Sequence, residues 1–220
     1  MAPNPDFRLS VDAFFDLVCP WCLIGKRHLA TAIAQLRSER PDVAVDVEWR
    51  SSPLIPGTPL PGVPYRAFYV ARLGSPQAVA ARQAQVQAAA CDAGLTLALT
   101  RIETFPNTLL AHRLVGFVRE DAGAAAAADL VDDLFTRYFI QAQDIGDTEV
   151  LGQALRECGV QVPGPVLHDA AWLPPLPACP ARNDMGVPHF VFDRAHSVSG
   201  AQPPAVLLDA MRSALARMAG

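Results

Sequence analysis

The sequence predicts an α/β protein in which a large helical insertion separates two groups of strands. Residues 8–15 alternate between apolar and polar side chains, as a half-buried strand does, and residues 43–50 alternate in the same way. Four consecutive amphipathic helical patterns then occupy most of residues 65–158. This is more helix than a simple connection between two strands contains, so we expect an inserted helical subdomain.

The first helix is predicted to begin at the Cys-Pro-Trp-Cys motif of residues 19–22 and to end near Pro41, with Leu29, Ile33 and Leu36 on one face. The strands on either side of it are expected to pair in parallel through a right-handed crossover. Residues 53–64 contain five prolines and are predicted to form a loop.

The insertion is predicted to contain one helix over Ser75–Ala93 and a second that begins at the cap Asn107. A third helix carries Leu130, Leu134, Phe135 and Tyr138, and a fourth begins at Asp147. The second helix is expected to bury Leu110, Leu114 and Phe117.

Residues 187–192 and 196–200 predict a hairpin that completes the sheet, and a last helix is expected from about Pro204 to Met218. The predicted domains are therefore 1–62 with 186–220, and an inserted helical subdomain over 63–158. A Pro-rich connecting loop, 159–185, joins them; it either selects substrate beside the active site or is a surface segment without function.

Composition excludes several classes of protein. The 220 residues are 51% hydrophobic and 18% charged, with a net charge of −4, so the chain can bury a substantial core. The sequence has no Lys/Arg-rich stripe of the kind that binds nucleic acid, and no apolar run approaches the roughly 18 residues of a membrane helix. Residues 1–9 lack the pattern of a secretory signal, so we expect a cytoplasmic protein.

Cys19 and Cys22 form a CxxC pair at the predicted strand-to-helix junction. Helix positions i and i+3 share a face, which brings two sulfurs within reach of a disulfide. The start of a helix favours an anion, and such motifs lower a cysteine pKa from about 8.5 to roughly 3.5–7.5. In a reducing compartment a CxxC pair is usually catalytic.

A zinc site is the main alternative for the two cysteines, and a purely structural disulfide is a second. Zinc needs two further ligands, whereas Cys91, Cys158 and Cys179 have no Cys or His partner at finger spacing. A disulfide across so short a loop constrains the unfolded chain little. The sequence therefore favours a redox dithiol and no metal site.

The motif and several distant segments resemble one known family. Residues 15–26, FDLVCPWCLIGK, are similar to the active-site stretch of the DsbA-like thioredoxin-fold oxidoreductases, FrnE-like subgroup. Matching segments follow in order at 107–113, at 144–151, and at 186–192 with 198–203. The resemblance implies a thioredoxin-like fold with a large all-helical insertion, and a cis Pro188 that faces the dithiol.

Roles for the site residues follow from thiol–disulfide exchange, which needs an attacking thiolate and a second thiol. We expect Cys19, at the helix start and better exposed, to attack, and Cys22 to resolve the mixed disulfide. Pro20 and Trp21 are expected to set the redox poise. Asp16 is expected to be partly exposed, with proton relay as its alternative role.

A substrate site is predicted around Pro188. If the bond to it is cis, the backbone of Val187 comes beside Cys19 and pairs with an extended substrate by strand addition. His189 either faces the site and titrates near neutral pH or is a structural residue. His112 and Arg113 are expected to cap or brace helices of the insertion.

Three functions remain open from the sequence. The leading one is a cytoplasmic thiol–disulfide oxidoreductase or isomerase that acts on a protein disulfide or a small thiol. It needs no tightly bound cofactor, because the Cys19–Cys22 disulfide carries the electrons. The second is a glutathione-dependent isomerase or transferase, similar to the 2-hydroxychromene-2-carboxylate isomerases and kappa-class transferases, which typically have serine in place of Cys19. The third is a non-catalytic binding protein. The alanine and leucine richness of the chain is compatible with an apolar groove or a homodimer surface.

Overall fold

The computed structural model of the chain describes residues 7–160, 176 and 186–218. These residues form two units. The first consists of 7–15, 21–52 and 186–218, and the second of 16–20, 53–160 and 176. In chain order the elements are β1 (Phe7–Phe15), α1 (Pro20–Glu39), β2 (Val43–Ser51), β3 (Val63–Pro64), α2 (Tyr65–Leu73), α3 (Pro76–Asp92), β4 (Thr104–Phe105), α4 (Leu109–Phe139), α5 (Thr148–Glu157), β5 (His189–Phe192), β6 (His196–Ser199) and α6 (Pro204–Met218).

A four-stranded sheet organises the first unit, in the order β2-β1-β5-β6. β1 pairs with β2 in parallel, with Val11 opposite Val47. β1 pairs with β5 in antiparallel fashion, with Ala13 opposite Phe190, and β5 pairs with β6 in the same sense. The parallel pair and the C-terminal hairpin predicted from sequence are confirmed.

The core of the first unit lies on one face of the alternating strands. Leu9, Val11 and Ala13 of β1 are fully buried, because alternate side chains of a strand point to the same side. α1 and α6 cover them; the contributing side chains are Leu29, Ala32, Leu36, Leu207, Leu208, Met211, Ala214 and Leu215. The predicted apolar face of α1 is thus confirmed for Leu29 and Leu36, whereas Ile33 is only half-buried.

The hairpin between β5 and β6 has a tight turn at Asp193 and Arg194. Both residues have left-handed φ angles, 47° and 57°, and the Ala195 N–H donates to the Phe192 carbonyl at 3.0 Å. Two consecutive left-handed residues make a type I′ turn, whose twist matches that of the two strands.

The second unit contains α2 to α5 and a small ladder that the sequence analysis missed. β3 pairs with β4, with Val63 opposite Phe105. The prediction of a loop throughout 53–64 was therefore wrong at Val63 and Pro64, and the helical insertion also contains this short ladder. Gly62 precedes the ladder with φ +74°, and a Cβ there would lie 2.5 Å from Thr104 Cγ2, so the close approach requires glycine.

α4 unites the second and third predicted helices. It kinks at Gly123, whose φ of 92° and ψ of 176° are not helical. The expected apolar face was partly wrong, since Leu110 and Phe117 are only half-buried. The buried stripe of this first half is Ala111, Leu114, Val115 and Val118.

Side chains form hydrogen bonds at the starts of α4 and α5 in the second unit, but of these two helices α5 alone has a side-chain cap. Asp147, where the fourth helix was predicted to begin, is the cap of α5, because its carboxylate accepts the Glu149 N–H at 2.7 Å. Asn107 is not the cap of α4, which follows Thr108. Instead, its Oδ1 accepts the Leu109 N–H at 2.9 Å and its Nδ2 donates to the Thr58 carbonyl. Asn107 thus connects the loop that precedes β3 to the start of α4.

Nearly all of the predicted connecting loop 159–185, including Cys179, lies outside the described residues. Among the helices that the structure does describe, none combines the length and apolarity needed to cross a membrane.

Candidate active site

The CPWC motif lies where β1 gives way to α1. Cys19 is the residue before the helix, Pro20 is its first residue, and Cys22 is its third. Proline suits this first position, where a backbone N–H would have no partner within the helix. The Cys19 N–H donates to the Asp16 carbonyl at 3.1 Å, which closes the turn that connects strand and helix. The predicted strand-to-helix junction is confirmed.

Both motif cysteines are buried. Cys19 is 6% exposed and Cys22 is 1% exposed. Cys19 is thus the more exposed sulfur, as expected, but it is not an open surface group. Pro20 and Trp21 are half-buried. A partner that reacts at Cys19 would meet a residue with little exposed surface.

The Val187–Pro188 peptide bond is cis, as the family resemblance implied. Within the first unit, the Pro188 ring lies against α1 at Gly25, three residues after Cys22. A Cβ at Gly25 would lie 3.0 Å from Pro188 Cγ and 3.2 Å from Phe190 Cζ. Gly25 was not among the site residues predicted from the sequence, although an isolated glycine inside a helix often has a packing reason.

The carbonyl of Pro188 accepts the Gly200 N–H at 2.8 Å, which places the resembling segments 186–192 and 198–203 beside each other. Val187 is half-buried. Its predicted pairing with an extended substrate stays a prediction.

His189 is fully buried in β5. Its Nδ1 lies 2.9 Å from Ser199 Oγ, and its ring centroid is 6.0 Å from that of Phe14. Burial lowers the pKa of His189, so the imidazole is neutral at neutral pH. Of the two roles that the sequence left open, these contacts favour the structural one.

Asp16 is fully buried, so the expectation of partial exposure was wrong. Its Oδ1 lies 3.0 Å from Nε2 of His112, and its Oδ2 accepts the Leu54 N–H at 2.7 Å. The Val18 N–H also points at Oδ1, at 3.4 Å. His112, which was expected to cap or brace helices, instead connects α4 to the segment that precedes the motif.

Two tyrosines of α2 lie near this segment within the second unit. The ring centroids of Tyr65 and Tyr69 are 4.7 Å apart. Burial, then the neighbouring Tyr65 and then Cys19, raise the pKa of Tyr69. Tyr69 is therefore a neutral phenol that lies within electrostatic range of both Cys19 and Asp16.

Lys26 of α1 lies beside the aromatic ring of Trp49. Its ammonium lies 4.7 Å from the centroid of the Trp49 ring, in the geometry of a cation–π contact.

Within residues 7–160, 176 and 186–218, no three His, Cys, Asp or Glu side chains are grouped closely enough to hold a metal ion.

Comparison with known proteins connects this site to a family. A family model described as a DSBA-like thioredoxin domain matches residues 10–164, well over half of the chain. No curated protein shows a significant sequence match.

Several solved structures share the fold. A probable DsbA oxidoreductase from Streptomyces coelicolor is 26% identical, with a TM-score of 0.77 over 94% of this chain and 90% of that one. A putative protein disulfide isomerase from Nitrosomonas europaea gives 14% identity and a TM-score of 0.61 over 96% and 97% of the two chains. A 2-hydroxychromene-2-carboxylate isomerase gives 16% identity and a TM-score of 0.53 over 96% of each chain.

These comparisons confirm the predicted thioredoxin-like fold with its large helical insertion, and they support enzymatic thiol–disulfide chemistry. By the match over residues 10–164, the chain belongs to the family of DSBA-like thioredoxin domains.

Proposed function

We propose that this protein is a thiol–disulfide oxidoreductase or isomerase of the DsbA type, in the FrnE-like subgroup, and that it acts through Cys19 and Cys22. The observation that carries the proposal is the position of the CPWC motif at the start of α1, in a chain of this family. A helix start supplies N–H groups and a positive dipole end that stabilise a thiolate at Cys19.

The reaction has two exchange steps. The Cys19 thiolate attacks one sulfur of a substrate disulfide, forms a mixed disulfide and expels the other sulfur as a thiolate, which takes a proton from solvent. Cys22 then loses its proton and attacks the Cys19 sulfur. The substrate leaves fully reduced, and its two electrons have come from the pair that is now the Cys19–Cys22 disulfide. In reverse, the same steps oxidise a substrate dithiol.

The substrate in this proposal is a protein disulfide or a small disulfide. Val187 and the cis Pro188 would present the backbone edge to which an extended substrate pairs. The Pro188 ring is held against α1 at Gly25, one turn after Cys22, which supports a fixed position for this edge within its own unit. Trp21 would cover one side of the sulfur pair.

The test is catalysed reduction of insulin by dithiothreitol. We expect Cys19→Ser to abolish the acceleration given by the wild type. We expect Cys22→Ser to accumulate a mixed disulfide at Cys19, detectable by mass spectrometry. Cys158→Ser, which removes a half-buried free thiol of the second unit, serves as the matched control and should retain full activity. Equal rates for the wild type and Cys19→Ser would refute the proposal.

A glutathione-dependent isomerase or transferase is the second candidate, since a 2-hydroxychromene-2-carboxylate isomerase shares the fold over nearly the full chain. Such an enzyme would use the thiolate of glutathione in place of Cys19. Glutathione binding and isomerase turnover that both survive Cys19→Ser would favour this candidate, and dependence of turnover on Cys19 would favour the dithiol reaction.

We place the protein in the cytoplasm as part of the same proposal. Cys91 is exposed and Cys158 half-buried, and both are free thiols. Accessible unpaired cysteines suit a reducing compartment, because an oxidising one converts them to disulfides. Cell fractionation with a tagged full-length chain tests this assignment, and recovery from the periplasmic fraction would contradict it.

A further inference from the structure

A buried acid–base pair links the insertion to the segment before the motif. Asp16 and His112 are both fully buried, and the Asp16 Oδ1 to His112 Nε2 distance is 3.0 Å. Asp16 precedes Cys19 by three residues, and its backbone carbonyl accepts the Cys19 N–H. The Val18 N–H, one residue before Cys19, points at Asp16 Oδ1, so the carboxylate lies beside the backbone that leads into the proposed nucleophile.

The donors around Asp16 are those that an ionised carboxylate accepts. N–H groups of Leu54 and Val18 and the His112 imidazole point at its two oxygens. Two of these three donors are neutral backbone N–H groups. The third, the His112 imidazole, carries a positive charge when it is protonated. A buried carboxylate with a protonated imidazole partner has little net charge, whereas one without it is a bare anion.

Among the described residues of the second unit, two phenols and one guanidinium interact electrostatically with this cluster. Tyr69 of α2 interacts with both Cys19 and Asp16, and Tyr138 of α4 interacts with Asp16. Burial raises the pKa of both phenols, so neither supplies a charge at neutral pH. Arg72 of α2 reaches this cluster through Tyr69.

We propose that His112 is a positioning residue for the redox centre: it neutralises and orients Asp16, and thereby permits Cys19 to ionise. This inference rests on the proposed function, which makes ionisation of Cys19 relevant to catalysis. The electrostatic coupling itself is argued from the buried Asp16–His112 pair. A bare anion beside a sulfur disfavours the thiolate, because like charges repel in a poorly solvated site. His112 acts through Asp16 and touches no substrate.

The two partners of the pair are expected to have opposite effects. Removing the imidazole with His112→Leu leaves an uncompensated Asp16, so Cys19 ionises less readily. Removing the carboxylate charge with Asp16→Asn leaves the positive charge of the His112 imidazolium unopposed, so Cys19 ionises more readily. A purely structural pair would not give shifts of opposite sign.

The experiment is the pH dependence of alkylation by iodoacetamide, with Cys19 identified by mass spectrometry in the reduced, full-length protein. All variants carry Cys22→Ser, so that Cys19 is the remaining thiol of the motif. The midpoint is the pH at which the alkylation rate of Cys19 is half its maximum. At a pH below this midpoint, we expect His112→Leu to slow alkylation about tenfold, which corresponds to a rise of the midpoint by one pH unit, and Asp16→Asn to accelerate it. His112→Gln, which keeps a neutral donor, should lie between wild type and His112→Leu.

The double variant Asp16→Asn/His112→Leu removes both partners and should return the midpoint towards that of the Cys22→Ser parent. Asp144→Asn is the matched control: it neutralises another partly buried aspartate of the second unit and should leave the midpoint unchanged. Near-ultraviolet circular dichroism reports whether each variant is folded.

The proposal is overturned if the two single variants shift the midpoint in the same direction, or if Asp16→Asn does not lower it. The second criterion stands even if His112→Leu fails to fold. Alkylation requires no turnover, so these outcomes are independent of the insulin assay. A protein without oxidoreductase activity can still show the opposite shifts, and an active one can lack them.

Discussion

Replacement of Gly25 by alanine tests how tightly Pro188 packs against α1. The new methyl carbon would lie 3.0 Å from Pro188 Cγ, 3.2 Å from Phe190 Cζ and 3.4 Å from Pro188 Cβ. The proline ring is stiff and Phe190 is 1% exposed, so neither neighbour can turn away into solvent. The backbone of the strand or of the helix has to move instead.

Two opposing effects decide the magnitude. Alanine in a helix interior is favoured over glycine by about 0.8–1.0 kcal/mol. Extra atoms in a packed core cost about 1–3 kcal/mol. We therefore expect Gly25→Ala to change the free energy of unfolding by between about zero and 2 kcal/mol, in the destabilising direction.

Gly116→Ala supplies the matched control. Gly116 also lies inside a helix, α4, but a Cβ there would have no atom within 4 Å. It should stabilise the protein by the propensity gain alone. The gap between the two variants isolates the contact at Pro188, and at about 2–4 °C per kcal/mol it amounts to about 2–12 °C in melting temperature.

Scanning calorimetry of the two variants and the wild type measures this gap. If Gly25→Ala raises the melting temperature as much as Gly116→Ala does, the close approach of Pro188 to α1 is wrong, and the reasoning from it fails.

Three further predictions concern stability. Burial lowers the pKa of His189, so the unfolded chain binds more protons than the folded one below about pH 6.5. The free energy of unfolding should therefore decrease as the pH is lowered, by at most about 1.4 kcal/mol per pH unit. His189→Asn should flatten that slope in urea titrations from pH 8 to 5. Asp147→Ala removes the cap of α5 and should cost about 1 kcal/mol in urea unfolding, and an unchanged midpoint would contradict the cap. Arg137→Met removes charged hydrogen bonds from a guanidinium that is 3% exposed and should cost about 1–3 kcal/mol, whereas Arg212→Met, whose ion pairs are half-exposed, should not measurably alter thermal unfolding.

Local periodicity was sufficient to predict most of the first unit. β1 alternates between apolar and polar residues, and its inward positions are the buried ones. The apolar spacing of Leu29 and Leu36 identified the face of α1 that packs on the sheet. These signals work because a sheet covered on one face imposes a period of two on its strands and a single stripe on the helix above.

The insertion was harder to predict in detail. In α4, the small Ala111 is buried while the larger Leu110 and Phe117 are only half-buried, so side-chain size misled the assignment of the face. The alanine run after Gly123 offers no apolar contrast from which a helix face or a kink can be read. The β3–β4 ladder is two residues long, too short for any alternation to appear.

The site was predictable only where its residues are neighbours in the sequence. Cys19 and Cys22 are visible from their spacing and from the helix that follows. The contacts of Asp16 with His112 and of Gly25 with Pro188 join segments that are far apart along the chain. Such contacts arise from tertiary packing, and a single sequence carries no periodic signal for them.

The strand order has a consequence for synthesis on the ribosome. β1 can pair with β2 as soon as Ser51 has emerged, but its other edge waits for β5, which begins at His189. At about 5–20 residues per second, the roughly 140 residues between them take on the order of ten seconds to be translated. During that interval the nascent chain presents an open strand edge beside Leu9, Val11 and Ala13, and an unpaired edge of this kind is a template for pairing with other chains.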